Sequence, residues 1–244
     1  MRSHRDAAED LAVLVTCEHG GNRVPAAYAR WFARAKTLLA SHRGYDAGAL
    51  AMARTLARHL DAELITATVS RLVIELNRSA HNPRLFSPLI RQAPAAVRRQ
   101  IFARYYEPYW RSVETAVHRA LARHARVVHI GSHSFTPVLD GDVRNADIGL
   151  LYDPARAAEA ALCARWRSAL SARAPLWIVR RNYPYAGNGD GLTTHLRRLF
   201  PADRYAGIEL EINQRHPLAS GPAWAAMQRQ VAAALRDALD SYAR

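Results

Sequence analysis

Residues 12–22 read Ala-Val-Leu-Val-Thr-Cys-Glu-His-Gly-Gly-Asn, an apolar, β-branched run that stops at His19 and breaks on two glycines. A run of that length and makeup predicts a buried strand over Leu11–Thr16, with the Gly-Gly pair turning the chain at its carboxyl end. The pattern recurs. Arg126–Ile130 is a second such run, ending in Gly131-Ser132-His133-Ser134, and Gly207–Ile212 is a third. Shorter strands are expected over Glu63–Thr68, Arg71–Leu76, Asp147–Tyr152 and Leu176–Arg180. Helical patterns lie between them: Asp46–Leu60 with Asp46 at its N-cap, Pro94 to about His124 kinked at Pro108, Ala155–Ala172, and Trp224–Tyr242. Strands that alternate with helices imply an α/β fold, a mostly parallel central sheet between two helical layers. Open sheets of that kind hold ligands at the carboxyl ends of their strands, where His19 and His133 fall.

Composition narrows the function classes. At 244 residues the chain can bury a full core, and no linker, repeat or low-complexity block divides it, so residues 1–244 are read as one domain. The first ten residues are polar and expected to fray, with no apolar stretch that would make them a signal peptide. No run approaches the ~20 apolar residues of a membrane helix, so no membrane partner is expected. Cys17 and Cys163 lie far apart on unlike elements, which argues against a disulfide framework and for a reducing, cytoplasmic setting. The formal net charge is +13, but the cations spread from Arg2 to Arg244 and Lys36 is the only lysine. A surface that tracks nucleic-acid phosphates shows clustered basic stretches with interleaved aromatics, so nucleic acid is not the expected partner. Small carboxylates drawn to a basic cavity mouth suit the charge better.

Four segments carry polar chemistry. His19 and His133 end two buried runs, and neighbouring parallel strands would bring both within one zinc coordination sphere, which catalytic sites complete with a carboxylate and a water. Asp46 in His42-Arg-Gly-Tyr-Asp46 can supply the carboxylate, although a plain N-cap is the commoner role for such an Asp. Glu18 is the rival ligand, though strand alternation points it away from His19. His129 shares a face with His133 but lies deeper, as a core group. Arg71-Leu-Val-Ile-Glu-Leu-Asn77-Arg78 offers arginine forks that pair with carboxylates, or else surface arginines on an edge strand. In Gly207-Ile-Glu209-Leu-Glu211-Ile, two glutamates share one strand face, a costly placement in a core strand unless they are paired or functional. One of them can activate a zinc-bound water; the alternative is an exposed pair on a one-sided strand. Asn182–Gly191, with three glycines and Pro184, is the candidate for a mobile loop over the site.

His19-Gly-Gly, Tyr45-Asp46, Ser70-Arg71…Leu76-Asn77-Arg78, Ser132-His133-Ser134 and Glu211-Ile-Asn-Gln214 stand in the order seen in N-formylglutamate amidohydrolases, which the chain resembles from about residue 12 to 215. That resemblance implies a three-layer α/β/α sandwich like that of zinc carboxypeptidases and aspartoacylase. It implies hydrolysis of an acidic N-acyl amino acid such as N-formyl-L-glutamate, with zinc held by His19, Asp46 and His133 and Glu211 as the base. Asn77 and Arg78, with Arg71, would hold the substrate carboxylates. Glu75 stands where the family usually has Asp before Leu-Asn-Arg, and Gly131 where it has Asp two before the second His, which marks a divergent branch. Two histidines and a carboxylate suit zinc best, while iron, manganese and cobalt accept the same ligands.

Overall fold

The structure, a computed structural model, describes residues 11–242; the N-terminal segment read above as frayed lies outside the described residues. Strands β1 (Leu11–Cys17), β2 (Glu63–Thr66), β3 (Arg126–Phe135), β6 (Ile148–Leu151), β7 (Val179–Arg181) and β8 (Tyr205–Asn213) form a six-stranded sheet in the order β2-β1-β3-β8-β6-β7. All neighbours are parallel except β6 and β8, so the sheet is mixed and mostly parallel. β4 (Val138–Leu139) and β5 (Asp142–Val143) make a separate small hairpin. The principal helices are α1 (Ala49–Leu60), α2 (Ala95–Ile101), α3 (Glu107–Leu121), α4 (Ala157–Arg173), α5 (Leu192–Leu199) and α6 (Gly221–Tyr242). Among the described residues no helix is long and apolar enough to cross a membrane.

Period-two alternation explains the layers. On one face, Val15, Cys17, Val128, Ile130, Ile208, Leu210 and Ile212 pack with α1, α4 and α6 into one apolar cluster. The other face starts apolar at Leu14, Val127 and Tyr205, which join α2, α3 and α5 in a second cluster. Along the same strands it then turns polar. Thr16, then His129 and His133, then Glu209 and Glu211 take the positions that hydrophobic residues would fill elsewhere, and all but Glu209 are buried. A face that is apolar at one end and ionisable at the other is the fold's first sign of a site.

Four expectations are corrected here. Arg71–Leu76 forms no strand: Ser70 turns the chain by donating its hydroxyl to Gly44 O (2.8 Å) and accepting from Leu72 N, and Val73 N closes the turn on Ser70 O. The apolar residues Leu72, Val73, Ile74 and Leu76 are buried all the same, which is why they read as a strand. Asp46 caps nothing: α1 starts at Ala49, after Gly48 in the left-handed region (φ 81°), where a Cβ would strike the Pro217 ring at 2.4 Å. The long helix is interrupted by a wide turn at Phe102–Tyr106, just ahead of Pro108, whose missing N–H leaves the Arg104 carbonyl without its helical partner. β3 runs on through His133 to Phe135 because β8 pairs with it along that whole length.

β1 stops pairing with β3 at Thr16–Gly131, whereas β3 and β8 continue to Phe135–Asn213. The sheet therefore opens beyond the end of β1, and the freed edge of β3 faces the Asp46 turn. Ser134 N donates to Asp46 Oδ2 (3.3 Å), and the Ser132 and Ser134 hydroxyls donate to the Ala49 and Ala47 carbonyls.

Deeper in the same face His129 is fully buried, between the Thr16 hydroxyl (2.8 Å to Nε2) and the Tyr205 hydroxyl (2.7 Å to Nδ1). Burial pushes its imidazole down to about 4. An unfolded histidine titrates near 6.5, so the unfolded chain takes up this proton first as pH falls. The neutral form's contribution is whole above about pH 6.5 and is lost between there and about pH 4. Urea unfolding of the wild type and of His129→Gln, which does not titrate, should show a stability gap at pH 7.5 that narrows by on the order of 3 kcal/mol at pH 4. A pH-independent gap would contradict the assignment.

Candidate active site

The centre of the site is a buried chain of alternating carboxylates and imidazoles. Asp46 Oδ2 lies 3.4 Å from His19 Nδ1 and 3.1 Å from His133 Nδ1. On the far side of each ring, His19 Nε2 meets Glu75 Oε1, and His133 Nε2 meets Glu18 Oε2 at 3.1 Å. Tyr109 of α3 donates its hydroxyl to Glu18 Oε1 (2.7 Å). The Arg71 fork ties the middle of the chain to one end: Nη1 donates to Asp46 Oδ1 (3.0 Å), and Nε and Nη2 donate to Glu75 Oε2 (2.9 and 2.6 Å). The tight turn at Ser70 makes this possible, since an extended strand would carry residues 71 and 75 roughly 13 Å apart.

Charge accounting makes this chain unusual. Against the cost of burial, Arg71 and His19 hold the Glu75 carboxyl far below its ordinary range, and His19 and Arg71 do the same for Asp46. Burial likewise opposes ionisation of Glu18, but His133 brings it to about 2. Three ionised carboxylates face one guanidinium, which leaves two negative charges among buried groups. The two imidazoles lie between these carboxylates. Burial works against both, yet Glu75 and Asp46 raise His19, and Asp46 and Glu18 raise His133 well above its usual value. A divalent cation would balance the same two charges with both rings neutral.

The donor set fits such an ion. His19, Asp46 and His133 each offer one ligand atom, with all three atoms within 4.8 Å of one another. Ligands about 2.1 Å from a tetrahedral zinc stand roughly 3.4 Å apart, near the spacing of Asp46 Oδ2 from the two Nδ1 atoms. Ligating histidines commonly give their second nitrogen to a carboxylate, and both rings have one behind them. Glu18 takes that rear position on His133, whereas Asp46 Oδ2 lies between the two Nδ1 atoms.

Glu211 and Glu209 project from β8 on the same face. Glu209 Oε1 accepts from the Asn77 side-chain amide (3.1 Å) and the Thr193 hydroxyl (3.3 Å). Glu211 Oε2 is buried with no hydrogen-bond partner among the described residues. Burial drives the Glu211 carboxyl up to about 8 against the pull of His133, with Asp46 and Glu209 adding to the rise. An orphaned carboxylate oxygen beside a cation-ready cluster is placed to exchange protons.

These groups line a cavity of about 570 Å³. Loops complete it with Arg78 and Arg84 and with Leu139, Tyr185 and Asp190. Sequence reading brought His19, Asp46, His133, Glu211, Arg71, Asn77 and Arg78 together, and all line this cavity. It gave less to Glu75, which strand alternation could not aim at His19, and nothing to Tyr109 or Arg84, which carry no local signal. The two glycines after His19 serve packing: a Cβ on Gly20 or Gly21 would meet the Ala67 or Thr68 carbonyl at 2.9 or 2.8 Å. The Asn182–Gly191 loop does border the site. The buried Arg197 holds it by donating to Gly187 O (2.6 Å), and Arg144 donates to the Tyr185 hydroxyl (2.9 Å).

Comparison with known proteins agrees with this geometry. A family model described as N-formylglutamate amidohydrolase matches residues 11–216, which include every residue of the cluster. A solved gene product from Agrobacterium tumefaciens superposes with a TM-score of 0.77 at 31% identity, covering 97% of this chain and 93% of its own. An N-formylglutamate amidohydrolase from Ralstonia eutropha shares the fold, with a TM-score of 0.68 at 22% identity and 94% of each chain covered. No curated protein matches the sequence. The strand order, the cavity and a family match across nearly its whole length make this chain a member of the N-formylglutamate amidohydrolase family and an amidohydrolase-type hydrolase.

Proposed function

We propose that the protein is a zinc-dependent hydrolase of the N-formyl, or another short N-acyl, bond of an acidic amino acid, with N-formyl-L-glutamate as the reference substrate. The observation that carries this reading is the alternating cluster itself. Its two Nδ1 atoms and one carboxylate oxygen converge, and a second carboxylate backs each ring. His19, Asp46 and His133 would hold the zinc. When bound, the ion would polarise the scissile carbonyl and make water a better nucleophile at neutral pH.

The chain's own residues do the rest. Glu211 Oε2 takes a proton from the attacking water as the new C–O bond forms, and returns it to the amide nitrogen as the C–N bond breaks. Formate and the free amino acid result. Glu209, held by Asn77 and Thr193, stands beside Glu211 on the same strand face and raises its affinity for the proton it takes from the water. Arg78 spends one terminal nitrogen on the Asn77 and Asp190 carbonyls (2.8 Å each) and keeps its remaining donors for a substrate carboxylate. Arg71 is committed to Asp46 and Glu75, so its role is to hold a ligand and an orienting group in place. Asn77 acts similarly, donating to Glu209 and accepting from Leu192 N (2.9 Å).

Three measurements test this. Protein purified without chelator should carry about one zinc per chain, and His133→Ala should lose it while keeping the wild-type circular dichroism; stoichiometric zinc in that variant would contradict the ligand assignment. Glu211→Gln should retain zinc and lose roughly 10²–10⁴ in kcat with little change in KM, the usual share of general acid–base catalysis. Glu209→Gln should cost much less, and the reverse ranking would move the base two residues upstream. In a panel of formyl-, acetyl- and peptide-linked glutamate, the formyl compound should give the highest kcat/KM. Zinc binding without hydrolysis of any member would leave a binding protein on this fold.

A further inference from the structure

The charged groups that line the cavity are nearly all spoken for. Among its acids, Asp46 is held by Arg71 and both imidazoles, and Glu209 by Asn77 and Thr193. Asp190 is held by Ser79 N (3.1 Å) and the Asn82 side-chain amide (2.6 Å). Among its arginines, Arg71 is paired with two carboxylates, and Arg78 is tied to two main-chain carbonyls. Arg84 differs. Its guanidinium lines the cavity, and no hydrogen bond or ion pair is recorded for it among the described residues.

Its backbone, in contrast, is fixed. Arg84 N donates to Asn82 Oδ1 (2.8 Å), and Asn82 is locked to Asp190 across the cavity mouth. The next residue, Leu85, is buried in the second core cluster, and its carbonyl accepts from Glu75 N (2.9 Å). The same residue that orients His19 thus anchors the loop that carries Arg84. A free guanidinium on a rigid loop, facing the same cavity as the partly free Arg78, provides two cationic contacts for one ligand.

We propose that Arg84 is a specificity-determining residue that receives the side-chain carboxylate of a dicarboxylate ligand, leaving Arg78 for the carboxylate next to the scissile amide. This deepens the proposed function and rests on it for the catalytic part. It assigns the second acid to Arg84, where the sequence had pointed to Arg71.

The test has a binding arm and a kinetic arm, both on zinc-loaded protein. By calorimetry, Arg84→Gln should weaken glutarate about tenfold more than butyrate, because only the diacid loses a charge-assisted contact at this exposed position of the cavity lining. The difference should shrink as salt is raised from 50 to 500 mM. Arg84→Lys should recover part of it, and Arg78→Gln should weaken both ligands. In turnover, Arg84→Gln should lower kcat/KM for N-formyl-L-glutamate about tenfold more than for N-formyl-L-norleucine, chiefly through KM. Equal effects on diacid and monoacid in the binding arm would overturn the proposal even if the enzyme is active. A preserved glutarate preference that depends on Arg84, in a protein with no hydrolytic activity, would uphold it and remove the proposed reaction alone.

Discussion

Everything at this site depends on how three buried carboxylates are kept ionised. Glu18, Asp46 and Glu75 are buried beside the polar end of the sheet, and each is costly there without compensation. Arg71 supplies one positive charge and geometric control over two of the three. The remaining two charges fall to the imidazoles or to a divalent ion. Two buried negative charges therefore remain for cations to balance, which is the charge that a divalent ion at His19, Asp46 and His133 would bring. Removing a single member would strand a buried charge, and that coupling explains why the parts sit on five different segments yet converge within hydrogen-bonding distance.

The backbone brings these side chains together. β1 ends early while β3 and β8 run on together, which exposes one edge of β3 where the turn carrying Asp46 can dock. Gly48 lets α1 start late, so that Asp46 faces the histidines rather than the helix end. Ser70 folds an apolar run into a buried turn, and that turn brings Arg71 and Glu75 into one ion pair. Loops 78–84 and 185–190 then close the cavity over the polar end of the sheet, locked to each other through Asp190.

Much of this was legible in the sequence where a periodic signal existed. The runs Leu11–Thr16, Arg126–Ile130 and Gly207–Ile212 read as strands because they are short, apolar and rich in β-branched residues, and alternation within the last put Glu209 and Glu211 on one face. Arg71–Leu76 misled for the opposite reason. Burial alone makes a segment apolar, and only the hydroxyl of Ser70, bonding to a residue 26 positions away, decides that it turns. Asp46 is a similar case: an acidic residue ahead of a helix looks like a cap, and the left-handed Gly48 that displaces it makes no mark on hydropathy. Glu75 and Tyr109 reach their partners across long sequence separations, which single-sequence periodicity does not encode. Glu18 lies just past the end of β1, where strand alternation no longer fixes a side chain's direction, and it meets Nε2 of His133.

The account turns on which atoms face the metal. A crystal of the zinc-loaded protein, with anomalous scattering measured on either side of the zinc edge, locates the ion directly. It should show one zinc bound by Nδ1 of His19, Nδ1 of His133 and a carboxylate oxygen of Asp46, with Glu75 and Glu18 still bonded to the two Nε2 atoms. Zinc bound through Nε2 of either ring, or with Glu18 in place of Asp46, would contradict the assignment of the alternating cluster as a metal centre backed by two carboxylates.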